Sequence, residues 1–288
     1  MIDLHMHSIY SDGDKTIEEN LKTCESKGLK YISLTDHNTI KQYDDPALHQ
    51  NLFSGKIIKG LEMDAFFQNK KIEILAYKIK NTEVIDNWNQ KFFSKERRQL
   101  LQEKVRQKLI EACDKNKLIY DKSILYQEIP ENDYISVYIY NELMKHPENI
   151  PVLGELANSL NAFIRKGLLN PESDYCVVAK EDGEPNFKDV IDTIHQAGGL
   201  AFLAHPFEYR FTNTIQFINE FRAQKELDGI ECFHPSATKE QQKLLLDYAK
   251  TNALFVSGGC DSHGNKTPDR QIGHLNILKQ HIENWVNL

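Results

Sequence analysis

Two histidines two residues apart, His5 and His7, sit in the otherwise apolar opening stretch MIDLHMHS. Side chains alternate faces along an extended strand, so both imidazoles point one way while Ile2, Leu4 and Met6 point the other. Neutral imidazole is the commonest protein ligand for divalent transition metals, so one face of this segment is ready to bind metal. A second pair with the same spacing, Asp261 and His263, lies in GCDSHG near the other end of the chain. Between the pairs come Asp12 in YSDGD, His37 in LTDHN, Glu62 in GLEMD, Glu73 in KIEILAY and His205 in LAHP. Taken singly, each has a structural explanation: Asp12 as a turn cap, His37 as a helix cap, His205 as a packed loop residue before Pro206. Taken together they share one property, since nearly all lie at the end of a strand-like run. The donors are imidazoles and carboxylates without thiolates, which suits Mn, Fe(II) or Zn rather than a cysteine-rich structural zinc. They are too many for one ion, which takes about four to six ligands. Two or three ions sharing bridging carboxylates is the economical expectation, and such centres serve hydrolysis of phosphoesters.

The elements that must position these residues read as alternating strands and helices. Expected strands run over Ile2 to His7, Tyr31 to Asp36, Ile57 to Glu62, Ile72 to Tyr77, Leu200 to His205, Gly229 to Phe233 and Leu254 to Gly259. TIEENLKTCESKG carries a capping-box pattern from Thr16 to Glu19 and ends at Gly28, so it reads as a helix. NFKDVIDTIHQAGG, with Phe187, Val190, Ile191 and Ile194 at helical spacing, and TKEQQKLLLDYAKTN read the same way. This alternation predicts a mostly parallel α/β fold, and seven strands with ligands gathered at one end predict a TIM-like (β/α) barrel. The rhythm breaks over residues 89–182, which are charged and helically periodic in NQKFFSKERRQLLQEKVRQKLIEACDKNKL, with further helices expected in DYISVYIYNELMKH and VLGELANSLNAFIRKGLL. The expected division is a barrel domain over 1–88 and 183–288, with a helical insertion over 89–182 that serves as a lid or as a packing and oligomerisation domain.

Bulk properties narrow the classes. The net charge is −7, from 35 basic and 42 acidic side chains, which argues against a general nucleic-acid coat. The five cysteines (Cys24, Cys113, Cys176, Cys232 and Cys260) are scattered and never paired as CxxC. That argues against a disulfide framework and a thiolate zinc site, and fits a reducing cytoplasm. No run approaches the roughly 20 apolar residues of a membrane span, and a strand-like segment at residue 2 leaves no export signal in view. The expected partner is a small phosphorylated substrate rather than a membrane or a stable protein partner.

The motifs HMHSIYSDG, LTDHN, GLE, LAHP and GCDSHG, in this order, resemble those of the PHP (polymerase and histidinol phosphatase) family. The likeness is greatest to its small stand-alone phosphoesterases, including nucleoside 3',5'-bisphosphate phosphatases and short-RNA exonucleases. It implies a distorted seven-stranded barrel with a helical insertion, and a trinuclear metal centre. His5, His7, Glu62 and Asp261 would hold one ion. Glu62, His205 and Glu73 would hold a second, and Asp12, His37 and His263 a third. The sequence departs from the pattern at Glu73, where many members carry histidine. The implied chemistry is attack of a metal-activated hydroxide on phosphorus, with His37, His263 and Asp261 as catalytic residues. His37, His263 or a metal-bound water remain open as the acid for the leaving group. Arg210, Arg270 and His234 are the expected substrate contacts, with Arg97 and Arg98 in the insertion as weaker ones. The competing expectations are a histidinol-phosphate phosphatase and a non-catalytic metal-stabilised binding module. An amidohydrolase barrel also begins with His-x-His, but it needs a bridging lysine at a strand end, and none is apparent.

Overall fold

The computed structural model describes residues 1–68, 70–130, 133–170, 172–177 and 184–287. It divides into two compact units, one built from Met1–Gln90 with Glu184–Leu288 and the other from Lys91–Gly183. The domain boundary expected at 182/183 lies outside the described residues.

The first unit is α/β. Strands β1 (Ile2–Asp3), β2 (Tyr31–Ile32) and β3 (Lys56–Ile57) form a small parallel sheet in that order. Strands β4 (Gly60–Phe67), β5 (Lys70–Tyr77), β6 (Leu200–Leu203), β7 (Gly229–Phe233) and β8 (Phe255–Gly258) form a five-stranded sheet, also in chain order. The pairs β4–β5 and β5–β6 are antiparallel, and β6–β7 and β7–β8 are parallel.

Besides the second strand, which is regular over Tyr31–Ile32 rather than to Asp36, the strands differ from the expected set at three points, each with a local cause. The run read as Ile57 to Glu62 is two strands, because the Tyr43 hydroxyl accepts the Gly60 N–H (2.9 Å) that a neighbouring strand would otherwise take. Residues between Glu62 and Ile72, to which the sequence assigns no element, extend β4 and β5 into a hairpin. Gln68 turns the chain at φ 49° immediately after β4, and so short a connection can join only antiparallel neighbours. The opening run is a regular strand only over Ile2–Asp3, after which it is shared between two neighbours. Leu4 N–H bonds to Gly258 O (3.1 Å), Asp261 N–H to His5 O (2.8 Å) and His7 N–H to Ser262 O (2.8 Å), while Thr35 N–H bonds to Met6 O (2.8 Å).

The helices α1 (Ile17–Ser26), α2 (Thr82–Phe93), α3 (Lys95–Lys115), α4 (Ile135–Leu143), α5 (Phe187–Gln196), α6 (Thr214–Arg222) and α7 (Lys239–Thr251) follow the apolar periodicity. Thr16 and Glu19 close a capping box at the start of α1, and Thr238 and Gln241 do so at α7. Each such cap is worth about 1 kcal/mol. Helix α1 buries Ile17, Leu21 and Cys24 against Met6, Ile32 and Leu34. Under the strands, Ile2, Leu4, Leu75, Tyr77, Phe202 and Trp285 form a second apolar cluster.

In the second unit the core is Leu109, Cys113, Ile135, Ile139, Leu143 and Phe163, with α3 packed on α4. No strand occurs among its described residues. The helical stretch expected over VLGELANSLNAFIRKGLL is broken at Gly154 and Ser159, after which Leu160–Ala162 and Phe163–Leu168 continue as one helical run. Gly154 takes φ 55°, and Ser159 is extended and caps a new turn by accepting the Ala162 N–H (3.0 Å).

Candidate metal centre

The fold brings together the segments that follow β1, β2, β6 and β8 with the interiors of β4, β5 and β7, and with them the chemistry-bearing residues. His5 and His7 follow β1 and are buried, and Asp261 and His263 follow β8. Close approach of these two segments needs Gly259, where a Cβ would fall 2.3 Å from the His5 nitrogen. Two cluster residues take left-handed backbone, His205 at φ 21° and Asp261 at φ 51°. Such conformations cost of the order of 1–3 kcal/mol each and persist where the surroundings over-determine them. His37 lies opposite Glu62 through an isolated bridge, with Glu62 N–H bonded to Asp36 O (3.2 Å) and Asn38 N–H to Glu62 O (2.7 Å).

Glu62 is the hub. Its Oε2 lies 3.2 Å from His5 Nε2, 3.3 Å from His7 Nε2 and 3.3 Å from His37 Nδ1. Its Oε1 lies 2.9 Å from His205 Nε2, which is 3.4 Å from Glu73 Oε2. Asp261 Oδ1 closes the first group at 3.0 Å from His7 Nε2 and 3.4 Å from His5 Nε2. A third group forms toward solvent, where Asp12 Oδ1 is 3.2 Å from His263 Nε2 and 3.6 Å from His7 Nδ1, and Asp12 Oδ2 is 3.8 Å from His37 Nε2. The rings of His7 and His263 stack at 4.1 Å. Each of the sets His5–His7–Glu62–Asp261, Glu62–Glu73–His205 and His7–Asp12–His37–His263 has its donor atoms within 4.8 Å of one another. His7 belongs to two of them.

The residues fit divalent metal. A buried polar nitrogen ordinarily has a hydrogen-bond partner. Here His5 Nε2, both nitrogens of His7, His37 Nδ1 and His205 Nδ1 are buried with none, although carboxylate oxygens stand close to most of them. The donor set is imidazole and carboxylate, the chemistry of Mn, Fe(II) or Zn sites. Tautomers agree. Asp261 O, a carbonyl that can only accept, is 3.0 Å from His263 Nδ1, so that nitrogen carries the proton and Nε2 faces Asp12.

Electrostatics follow from the same packing. Burial alone pushes His7 down, but Asp261 and Glu62 outweigh it and raise its pKa to about 10. His205 is likewise raised to about 9 against burial, chiefly by Glu62. Burial raises Asp261 and Glu62, yet His5 and its neighbouring imidazoles overcome this and hold both carboxyls well below their usual range.

Several functional residues escaped sequence reasoning. Glu231, in the middle of GIECF, is fully buried; its Oε1 lies 3.0 Å from His5 Nδ1, and its Oε2 accepts the His205 N–H (2.9 Å). This holds the His5 proton on Nδ1 and leaves Nε2 facing the cluster, the carboxylate–histidine arrangement usual behind metal ligands. A lone acid inside an otherwise apolar strand was the signal that could have found it. Asp64, two residues beyond Glu62 on the same face, sits 4.0 Å from His37 Nδ1. Asp36, at the end of the expected second strand, turns away from the cluster. It accepts Ser8 N–H (2.8 Å) and the Ser8 and Ser11 hydroxyls (2.8 and 2.7 Å), so it shapes the loop that carries Asp12.

The residues expected on substrate divide. Arg270 reaches Asp261 and Glu208. His234 is 1% exposed, with Nε2 3.3 Å from Asp261 Oδ2 and Nδ1 2.7 Å from Ser236 Oγ, so it contacts the cluster from behind. Arg210 is exposed, and among the described residues no hydrogen bond or ion pair ties its side chain to the cluster. Arg97 and Arg98 belong to the second unit, where each guanidinium lies over an aromatic ring, Phe92 and Tyr134 respectively.

The PHP domain model matches residues 3–265. The chain belongs to the PHP domain family. Among curated proteins, this PHP chain is 26% identical over 268 residues to the 5'-3' exoribonuclease of Haemophilus influenzae, covering 91% of this chain and 89% of that one. It is 24% identical over 274 residues to the phosphoribosyl 1,2-cyclic phosphate 1,2-diphosphodiesterase of Eggerthella lenta, covering 91% and 94%. A solved Chromobacterium violaceum structure described as an amidohydrolase with bound sulfate shares the fold, with TM-score 0.61 and 21% identity, over 95% of this chain and 90% of that one. The two curated relatives named here are phosphoester hydrolases, and this PHP chain is a hydrolase of the same kind. No helix among the described residues is long and apolar enough to cross a membrane.

Proposed function

We propose that the chain hydrolyses a small phosphorylated metabolite, specifically a nucleotide such as a nucleoside 3',5'-bisphosphate or a short oligonucleotide, at a centre of two or three divalent ions. The observation that carries this reading is the division of Glu62. One oxygen serves His5, His7 and His37 and the other serves His205, the posture of a carboxylate bridging two positions. His5, His7, Glu62 and Asp261 would hold the first ion, Glu62, Glu73 and His205 the second, and Asp12, His37 and His263 the third. When bound, such ions lower the pKa of a water and neutralise phosphoryl oxygens.

The chain's own residues do the rest. Glu231 and the Asp261 carbonyl orient His5 and His263. His37 and His263 stand at the solvent side, with side chains 23% and 15% exposed, and with only two ions bound, leaving the third position open, either can protonate a leaving oxygen. Arg270, held by Asp261 and Glu208, stands at the edge of the cluster, where it would bind a phosphate by exchanging a carboxylate for it. The proposed scaffold is a distorted seven-stranded barrel, with β3 and β4 counted as the one broken run expected at Ile57 to Glu62. In support of closure, backbone bonds join β1 to the β8 side at Leu4, His7 and Asp261, and join the β2 side to β4 at Asn38 and Glu62.

Metal analysis of the purified protein together with a panel of esters tests the proposal. The panel holds bisphosphorylated and monophosphorylated nucleotides, short RNA, a ribose cyclic phosphate and histidinol phosphate. Turnover of the nucleotide arms with bound Mn, Fe or Zn is the expected result. Turnover of histidinol phosphate alone replaces the proposed substrate, and metal binding with no turnover of any ester leaves a binding module. Glu73→Ala should lower metal content by about one ion per chain.

A further inference from the structure

Asp64 and Glu73 stand directly opposite each other in the β4–β5 register. Two like charges in that relation repel unless a cation lies between them. Lys71, two residues before Glu73 and therefore on the same face, supplies one, with Nζ 2.9 Å from Asp64 Oδ1 and 3.1 Å from Glu73 Oε1. The other oxygen of Glu73 faces His205, 3.4 Å from its Nε2. Glu73 is thus shared between a fixed protein cation and the second of the proposed metal positions. The remaining ligands of that position, Glu62 and His205, are 1% and 4% exposed, whereas the Lys71 side chain is 49% exposed on a flexible stem.

We infer that Lys71 is the resident cation of the Asp64–Glu73 pair and competes with a divalent ion for Glu73, so that it sets how tightly the second metal position is filled. This rests on reading the cluster as a metal centre. A unit positive charge about 3 Å from one ligand oxygen opposes an incoming cation electrostatically and also holds that carboxylate away from it. Replacing Lys71 by an uncharged residue of similar length frees Glu73 to turn fully to the second position. It also leaves Asp64 and Glu73 without a neutralising partner, which increases the attraction for a divalent ion. The same logic makes Asp64 a contributor, through charge and without a direct place in the Glu62–Glu73–His205 set.

Calorimetric titration of the metal-stripped full chain with Mn²⁺ decides this. Lys71→Met should bind the Glu73-dependent ion about tenfold more tightly than wild type. Lys71→Arg, which keeps the charge, should titrate as wild type. Adding Glu73→Gln to Lys71→Met should abolish the gain. Superimposable circular dichroism spectra of the metal-free proteins confirm that the substitutions leave the fold intact, and Lys71→Gln repeats the test if the methionine variant fails to fold. Unchanged or weaker Mn²⁺ binding by Lys71→Met, with wild type binding normally, overturns the role of Lys71 alone. Absence of Mn²⁺ uptake by wild type and variant alike overturns the metal centre itself.

Discussion

Both compact units bury polar side chains, but they use them differently. In the unit Lys91–Gly183, the buried Arg106 donates to the carbonyls of Ile124 and Gln127, Glu142 accepts the Asp121 N–H (2.9 Å), and Asn149 accepts the Ile119 N–H (2.8 Å) and donates to Leu143 O (3.0 Å). Each of these groups closes a turn by satisfying backbone. In the unit of Met1–Gln90 and Glu184–Leu288, His5, His7, Glu62, His205 and Asp261 are buried against one another, and several of their nitrogens lack any hydrogen bond. Burying charge is costly unless it is paired or binds metal. A stapled polar core holds a shape, while a core whose polar groups face only each other is kept for chemistry.

The comparison can be broken or sharpened by experiment. The largest effect belongs to His7, which serves two of the ligand groups. His7→Ala should remove several kcal/mol of transition-state stabilisation, a loss of about 10³-fold or more in kcat/KM, together with bound metal. Normal turnover by a folded variant would erase the distinction between the units. Next is Phe163→Ala in the second unit's core. Thermal or urea unfolding should show a loss of about 3–5 kcal/mol, while metal content per folded chain stays constant. A drop in metal content there would mean that the second unit also carries ligands.

Glu231→Gln tests whether a buried acid behind His5 acts through its ligand. Metal affinity should fall about 10–100-fold, measured by competition with a chromogenic chelator, with little change in secondary structure by circular dichroism. Titration gives a smaller effect. In the metal-stripped chain His7 is raised to about 10 and His205 to about 9. Raised folded-state values contribute stability that is complete below the unfolded imidazole pKa of about 6.5 and is lost as pH climbs through the folded values. The metal-stripped protein should therefore melt at progressively lower temperature from about pH 7 to pH 10. The metal-loaded protein, whose imidazoles bind as neutral ligands, should show a shallower decline. The smallest effect is expected for Arg210→Ala, within about 0.5 kcal/mol in stability and without change in metal content, because its side chain makes no tie to the cluster.

Much of the centre was legible because its ligands are rare residue types at regular places. Histidine and acid at strand ends stand out against Ile, Leu and Val, and the spacing His5–His7 and Asp261–His263 marks one face of an extended segment. Helices α1, α5 and α7 were legible because apolar period and capping residues agree. The hairpin of β4 and β5 was not. Its turn lies at Gln68 in FFQNK, without the Asn-Gly or Asp-Gly signal of tight hairpins, so the sequence assigned no element to residues 63–71. Glu231 was signalled only as a lone acid inside an apolar strand, and nothing local shows that it stands behind His5. His234 and Arg270 were picked out as charged groups near motifs, and only the packing shows that both lie against Asp261.

The sequence by itself determined the chemistry on offer: imidazoles and carboxylates without thiolates, on an α/β succession of strands and helices. Those properties depend on residue type and on periods of two and 3.6, which are local. The tertiary structure alone decided which donors share an ion, that Glu62 divides its oxygens, that Glu231 stands behind His5 and that Lys71 bridges Asp64 and Glu73. Each of these is a distance of a few ångströms between side chains, most of them remote in the chain. Such distances are set by how strands register and where the backbone bends, as at His205 and Asp261, and no local pattern encodes them.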